Sequence, residues 1–263
     1  DPEKGKMPKE LLDQMAEMGF FGIRAPAKYG GSDMGAFEYC LIAEELSRGW
    51  MSVASVIARS AYSVIERIDG WSEAKRQTYC ERSVAGDFLV AMALSEPNTG
   101  SDLASISCKA VRDGDEFVLT GSKYWCTFAD DADAVILYAR TAEPSNPKRR
   151  HEGISCFLVE KPRGALPENC DGHSIPKIGY FGWNTYELAF DGCRVPAENM
   201  VGEEGKAFVM LANGLEVARA HTASRSIGAA QAALDVAIQY SHDRVQFERP
   251  ISEFQDIRFK IAK

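Results

Sequence analysis

The sequence has little positive charge and no long apolar stretch. Its 263 residues include 30 Lys and Arg against 38 Asp and Glu, which gives a net charge of −8. A nucleic-acid-binding protein normally carries a basic face, so this balance argues against such a partner, although a few arginines can still bind an anionic ligand. No apolar run approaches the roughly 20 residues that a transmembrane helix needs. We therefore expect neither a nucleic-acid nor a membrane partner.

Metal-binding sequence spacings are also missing. The seven cysteines are scattered, none forms a Cys-x-x-Cys pair, and none has a histidine at metal-ligand spacing. Scattered thiols in odd number are typical of a reducing compartment. We therefore predict no metal site, and a location in the cytoplasm of a bacterium or, if the protein is eukaryotic, in the mitochondrial matrix.

The hydrophobic pattern changes twice along the chain. Residues 8 to about 85 have apolar side chains at helical spacing, as in "PKELLDQMAEMGFFGI". From "DFLVAMALS" to about residue 195, short runs bounded by Gly, Pro, Asp or Asn predict strands, including a hairpin that turns at Asp113-Gly114. After Gly202 the helical spacing returns.

These changes predict an α+β fold with three domains. Residues 1–88 would form a helical N-terminal domain, 89–198 an antiparallel, barrel-like β domain, and 199–263 the beginning of an incomplete helical domain. Strands that follow one another without intervening helices favour an antiparallel barrel or sandwich over a Rossmann unit.

One short stretch, "ALSEPNTGSDLAS" (93–105), has more hydrogen-bonding groups than a turn requires. Asn98-Thr99-Gly100 alone would reverse the chain. The stretch adds two carboxylates and several hydroxyl groups at the end of a predicted strand. This surplus indicates a binding loop.

This stretch resembles the strand-and-loop signature of the acyl-CoA dehydrogenases, which are FAD flavoenzymes. Three further stretches resemble the same family in the same order: "GSKYWCTFADDADAVILYART", "ELAFDGCRVPAENMVGEEGKAF" and "SHDRVQFERPISEFQ". Four motifs in register identify the chain as a member of this family. The resemblance implies the family fold, a role in fatty acid metabolism, and FAD as the cofactor.

The resemblance also implies where the flavin ring binds. A flavin needs hydrogen-bond donors near N5 and its carbonyl edge, because reduction places charge and a proton there. Ser95 and Thr127 would bond the ring, and Trp125 would pack against it. From the residues alone, Trp125 could be a core residue, and the two hydroxyls could belong to strand edges. The complete implied set of ring contacts is Met92, Ala93, Leu94, Ser95, Gly100, Ser101, Trp125, Cys126 and Thr127.

A second implied group lies near the end of the sequence. Arg244 and Gln246 match a pair that reaches the FAD diphosphate of a neighbouring subunit in the family, and Phe247 and Gln255 would join the same surface. An arginine fork suits a diphosphate. We therefore expect a homodimer or homotetramer. The alternative is that Arg244 caps the carboxyl end of a helix.

The resemblance further implies an acyl-CoA substrate, held by Ser101, Glu216 and Arg219. An arginine on a long helix can also belong to a solvated face, and that alternative stays open for Arg219. Trp183 departs from the family, because many members have a small hydroxyl residue at this position near the ligand.

The catalytic base is expected outside this sequence. In the family, the glutamate that removes the α-proton comes from a late loop of the C-terminal bundle or from the residue before the helix arginine. The second place is Ala218 here, which cannot accept a proton. Glu216 lies two residues earlier and points about 200° away. We therefore predict a base beyond Lys263, and no turnover by residues 1–263 alone.

The implied reaction is α,β-dehydrogenation of an acyl-CoA thioester, with hydride passing to flavin N5 and an electron-transfer flavoprotein as the electron acceptor. Two other functions remain open. The chain could be a flavin oxygenase or oxidase relative on the same fold, or a truncated member that binds acyl-CoA without catalysis.

Overall fold

The computed structural model describes residues 6–263. Its helices are α1 (Lys9–Glu17), α2 (Ala36–Val56), α3 (Tyr62–Ile65), α4 (Glu73–Val84), α5 (Ala207–Asp243) and α6 (Gln255–Ala262). Its strands are β1 (Val90–Ala93), β2 (Lys109–Asp113), β3 (Glu116–Thr127), β4 (Ala134–Arg140), β5 (Ile154–Glu160), β6 (Cys170–Ser174), β7 (Thr185–Pro196), β8 (Val245–Gln246) and β9 (Arg249–Pro250). Helices, then strands, then helices follow one another, which confirms the predicted α+β fold class.

The first seven strands form one sheet in the order β1-β4-β2-β3-β7-β6, and β5 pairs with β4. Most pairs are antiparallel, as predicted, and the β2–β3 hairpin closes with Asp113 opposite Glu116. The β1–β4 pair is parallel, which differs from the expected antiparallel arrangement. The loop after β1 and the whole β2–β3 hairpin separate these two strands in sequence, so β4 can return in the direction of β1.

The chain divides into two compact units. The first contains residues 6–35 and 57–217, and the second contains residues 36–56 and 218–263. In the first unit, Ile65, Ile68 and Trp71 belong to the same buried cluster as Val90 and Ile136 of the sheet. The short helices therefore cover one end of the parallel β1–β4 pair.

In the second unit, α2 packs closely on the second part of α5. The ring of Tyr39 stacks on His221 with centroids 4.7 Å apart, and the Arg48 guanidinium pairs with Asp235 at 3.0 Å. A Cβ at Gly228 would lie 2.1 Å from the Glu44 carbonyl oxygen, so only glycine allows this approach.

Within residues 6–263, none of the helices combines the length and the apolar character that crossing a membrane requires. In the same range, no cluster of three or more His, Cys, Asp or Glu side chains is placed to hold a metal ion. All seven cysteines are free thiols.

Candidate functional site

A buried ion pair holds the loop after β1 against β3. Glu96 and Lys123 lie 2.9 Å apart, and their side chains are 5% and 0% exposed. The Lys123 ammonium also donates to the Leu94 carbonyl at 3.1 Å. The Glu96 carboxylate accepts from the backbone N–H groups of Ser107 at 2.7 Å and Cys108 at 2.9 Å. One carboxylate thus joins three segments that are distant in sequence.

The charge of Glu96 is stabilised inside the protein. Burial by itself would raise the pKa of this carboxyl group. The Lys123 ammonium and the two N–H donors outweigh burial, so the pKa of Glu96 lies below its usual value. The Glu96 carboxylate is therefore charged at neutral pH, and both of its oxygens accept hydrogen bonds.

A β-bulge turns one aromatic side chain outward beside this pair. The β3–β7 register shifts between Lys123 and Cys126, so Tyr124 and Trp125 on β3 together oppose the single residue Glu187 on β7. Trp125 has a positive φ of 62°, and it is 57% exposed although strands of this sheet are mostly buried. The Tyr124 N–H donates to the Ser95 carbonyl at 2.8 Å, which brings the end of β1 next to the bulge.

The predicted contacts Met92 and Ala93 therefore lie on an edge strand whose end adjoins the bulge that carries Trp125. β1 lies at the end of the sheet order, and every second backbone N–H and C=O of such an edge strand points away from its partner. Met92 is 39% exposed, whereas its neighbours Ala91 and Ala93 are buried. The Cys126 side chain is buried, and burial raises its pKa to about 12, so only its backbone can take part in binding.

Thr127 ends β3 in a short chain of polar groups. Its hydroxyl lies 3.0 Å from that of Thr185, which accepts from the Lys177 ammonium at 3.2 Å. Lys177 also donates to the carbonyls of Trp183 at 2.6 Å and Tyr180 at 3.1 Å. Burial lowers the pKa of Lys177. An ammonium can only donate, so the Thr185 hydroxyl oxygen accepts from Lys177 and its proton is available to the Thr127 oxygen. The Thr127 hydroxyl proton can then be donated to a ligand.

The loop between Glu96 and Ile106 is a tight turn with an exposed tip. Glu96 and Thr99 exchange backbone hydrogen bonds at 2.8 and 3.0 Å. Gly100 and Ser101 are exposed at the tip. Asp102 accepts from Arg150 at 2.8 Å and from the Ser105 hydroxyl at 2.7 Å, and this pair is open to solvent.

A cavity of about 390 Å³ in the first unit borders Met92. Its apolar wall comes from β1, β4 and the beginning of α5, and its polar wall from the segment 58–67. Pockets of this size take small organic groups. Its lining includes Arg59, Val90, Met92, Ile136, Leu211 and Val217.

The remaining predicted residues lie on α5 and on the hairpin that follows it. Glu216, Ala218 and Arg219 are exposed on α5, with Glu216 in the first unit and Arg219 in the second.

In the second unit, β8 and β9 form a hairpin that turns at Phe247 and Glu248, whose φ angles are 51° and 65°. Phe247 is 88% exposed, and Arg244 and Gln246 are exposed on the same hairpin. Gln255 begins α6. Four residues before it, the Ile251 N–H donates to the Arg244 carbonyl at 2.9 Å.

The side chain of Trp183 is buried in the first unit. It is 6% exposed, and its ring packs edge-on against Phe128 with centroids 5.0 Å apart. Sequence reasoning also missed Lys123, Lys177 and Thr185. The signal that could have found Lys123 is a lysine within a predicted strand that has apolar neighbours, because a buried lysine needs a partner.

Comparison with known proteins gives a consistent result along the whole chain. The N-terminal, middle and C-terminal domain models of acyl-CoA dehydrogenase match residues 1–87, 91–193 and 205–263. The mitochondrial isovaleryl-CoA dehydrogenase of Pongo abelii is 38% identical over 255 residues, which cover 97% of this chain and 59% of that protein. This chain spans about half to two thirds of the length of several curated relatives.

Solved structures agree. Butyryl-CoA dehydrogenase from Megasphaera elsdenii matches with a TM-score of 0.84 at 34% identity, covering 98% of this chain and 67% of that one. A glutaryl-CoA dehydrogenase from Mycobacterium smegmatis, solved in complex with FADH2, matches with a TM-score of 0.83 at 28% identity, covering 99% of this chain and 64% of that one. The chain belongs to the acyl-CoA dehydrogenase family.

Proposed function

We propose that this chain carries the flavin and acyl sites of an FAD-dependent acyl-CoA dehydrogenase, which oxidises a thioester between its α and β carbons. The observation that carries the proposal is that the Tyr124–Ser95 hydrogen bond brings the end of β1 next to the bulge with the outward-facing Trp125, while Met92 of β1 borders the cavity. Relatives named as acyl-CoA dehydrogenases support the reaction class.

The residues at this edge fit FAD. The exposed indole of Trp125 offers a flat apolar surface, Thr127 follows it by two residues, and Ser95 adjoins the same bulge. A related glutaryl-CoA dehydrogenase was solved with FADH2. When bound, FAD would supply the acceptor for the hydride that leaves the β-carbon.

Lys177 and Thr185 orient the Thr127 hydroxyl. With the ammonium donating to Thr185 and Thr185 donating to Thr127, the Thr127 proton is directed toward the cofactor. A donor fixed in this way stabilises negative charge on the ring without reorganisation.

We also propose that residues 1–263 do not supply the base. Ala218 stands where one branch of the family has a glutamate, and Glu216 is on a different face of α5. Ser101, Glu216 and Arg219 would instead contact the CoA part or the ester of the substrate.

The Arg244 hairpin fits a role between subunits. Its arginine, glutamine and phenylalanine side chains are exposed together, and Val236 and Tyr240 at the end of α5 are 69% and 58% exposed. We propose a homodimer or homotetramer in which Arg244, Gln246, Phe247 and Gln255 contact the FAD of a neighbouring subunit. An electron-transfer flavoprotein would reoxidise the enzyme.

The decisive experiment uses the complete protein purified with its flavin. We expect an absorption spectrum of bound flavin that bleaches without oxygen when the right acyl-CoA is added. Oxygen consumption by the reduced protein without an electron carrier would favour an oxidase instead. Thioester binding by a protein that cannot retain flavin would favour a non-catalytic member.

A further inference from the structure

In the cavity beside Met92, all the charged side chains of the described lining are positive. Three arginines line it, Arg24, Arg59 and Arg67, and no Asp or Glu is among the described residues that line it. This excess of positive charge contrasts with a chain whose net charge is −8. A wall of this kind is unsuited to a purely hydrocarbon acyl group.

Of the three arginines that line the cavity, Arg59 is half-buried, whereas Arg24 and Arg67 are exposed. Within residues 6–263, no hydrogen bond, ion pair or ring contact engages the Arg59 side chain. Arg48, Arg150, Arg163 and Arg194 all pair with carboxylates. Arg67 also lines a second cavity, together with Asp69 and Glu203.

The backbone around Arg59 is held firmly. Arg59 ends the short 3-10 turn Ile57–Arg59. The next residue, Ser60, forms an isolated bridge with Leu89 just before β1, and the Ala61 N–H donates to the Ser83 hydroxyl of α4 at 2.6 Å. The guanidinium is therefore placed by a rigid segment, which favours recognition of a specific ligand group.

The opposite wall of the cavity is apolar. Val90, Ile136, Leu211 and Val217 come from β1, β4 and α5. A ligand that fills this space needs a hydrocarbon part and one anionic group, since a carboxylate matches the guanidinium fork in two parallel hydrogen bonds.

We propose that the acyl group carries a carboxylate at its far end, so that the substrate is a short dicarboxylic acid joined to CoA at one end. This inference rests on the proposed function, because it places the thioester beside Met92. The methylene groups contact Val90 and Ile136, and the free carboxylate binds Arg59. Arg59 thereby determines substrate specificity.

The test compares matched thioesters that differ only in replacing a terminal methyl by a carboxylate. Succinyl-CoA is paired with butyryl-CoA, glutaryl-CoA with pentanoyl-CoA, and adipyl-CoA with hexanoyl-CoA. For the complete flavin-loaded protein, kcat/KM is measured with an artificial electron acceptor, and affinity by calorimetry. We expect at least one diacid ester to exceed its partner about tenfold or more in both measurements, the range expected for a charged hydrogen bond.

Arg59→Met should abolish this preference while leaving the methyl-ended partners unchanged within about threefold, because only the carboxylate contact is lost. Arg59→Lys should be intermediate. Arg112→Met is the matched control, since Arg112 is an exposed arginine of β2 outside the cavity. It should keep the wild-type preference.

A preference for the methyl-ended esters in every pair, or a diacid preference that survives in Arg59→Met, would overturn the inference and leave the proposed reaction intact. If no ester is oxidised although flavin is bound, the proposed function fails. The calorimetric comparison of diacid with partner then still decides the role of Arg59.

Discussion

The buried Glu96–Lys123 pair allows a sharp test of what holds the candidate site together. Glu96→Gln keeps the size of the side chain but leaves a lysine of 0% exposure without its counterion. Removing one partner of a buried pair costs about 3–5 kcal/mol. For a chain of this size, about 2–4 °C of melting temperature corresponds to 1 kcal/mol, so we expect a loss of roughly 6–20 °C. Urea unfolding followed by tryptophan fluorescence measures the free energy directly.

A second variant distinguishes two causes of lost stability, the unpaired Lys123 charge and the loss of packing. In the double variant Glu96→Gln with Lys123→Met, no uncompensated charge remains, so the protein should be more stable than Glu96→Gln alone. Asp102→Asn is the control, because the Asp102–Arg150 pair is exposed and should contribute little. The reasoning would be refuted if Glu96→Gln lost less than about 1 kcal/mol of unfolding free energy. It would also be refuted if the loss in the double variant equalled the sum of the losses in the two single variants.

The same pair predicts a pH dependence. Because the pKa of Glu96 is lowered on folding, its contribution is complete above the unfolded value of about 4.3 and is lost as the pH falls through the folded value. The stability difference between wild type and Glu96→Gln should therefore be constant from pH 7 to about pH 5 and shrink below about pH 4. A difference that grows on acidification would contradict this sign.

Four further changes test other parts of the molecule. Replacing Ser95 and Thr127 together by Val should weaken flavin retention about tenfold or more, because two hydrogen bonds are lost, and an unchanged flavin affinity and spectrum would disprove the placement of the ring. Glu216→Gln should retain turnover within about tenfold, whereas a loss of about 10³-fold or more in kcat would identify Glu216 as the base. Arg244→Lys should lower FAD affinity in the assembled protein, because it loses the guanidinium fork; equal affinity by equilibrium dialysis would exclude a diphosphate contact. Gly228→Val should destabilise the second unit by more than about 1 kcal/mol in urea unfolding, since its side chain meets a backbone carbonyl, and an unchanged midpoint would argue against the close helix approach.

Local patterns predicted much of this fold. The switch from helical to alternating spacing near Asp87 preceded β1 by three residues, and Asp113-Gly114 correctly predicted the β2–β3 hairpin. The parallel β1–β4 pair could not be read in this way, because it depends on where a strand returns after 40 residues of intervening chain, a property of tertiary packing.

The candidate site was predictable from the sequence only in part. The motif at Ser95 and the "YWCT" stretch were found as sequence, and the structure places the two together through the Tyr124–Ser95 hydrogen bond. The role of Glu96 was missed because its partner is 27 residues away and its charge looked like that of a solvated turn. Arg59 was missed for a similar reason. The sequence shows an arginine after an apolar helix, but it does not show that the side chain is half-buried or that no carboxylate within residues 6–263 pairs with it.

The bulge at Trp125 has a consequence for how this position can evolve. A positive φ costs a residue with a bulky side chain of order 1–3 kcal/mol, whereas glycine adopts it freely. The indole is 57% exposed, so core packing does not repay that cost. Trp125→Gly should therefore raise the stability of the flavin-free protein while removing a surface for the ring. Selection for stability alone would favour glycine at this position, so the proposed flavin contact supplies the reason for a tryptophan here.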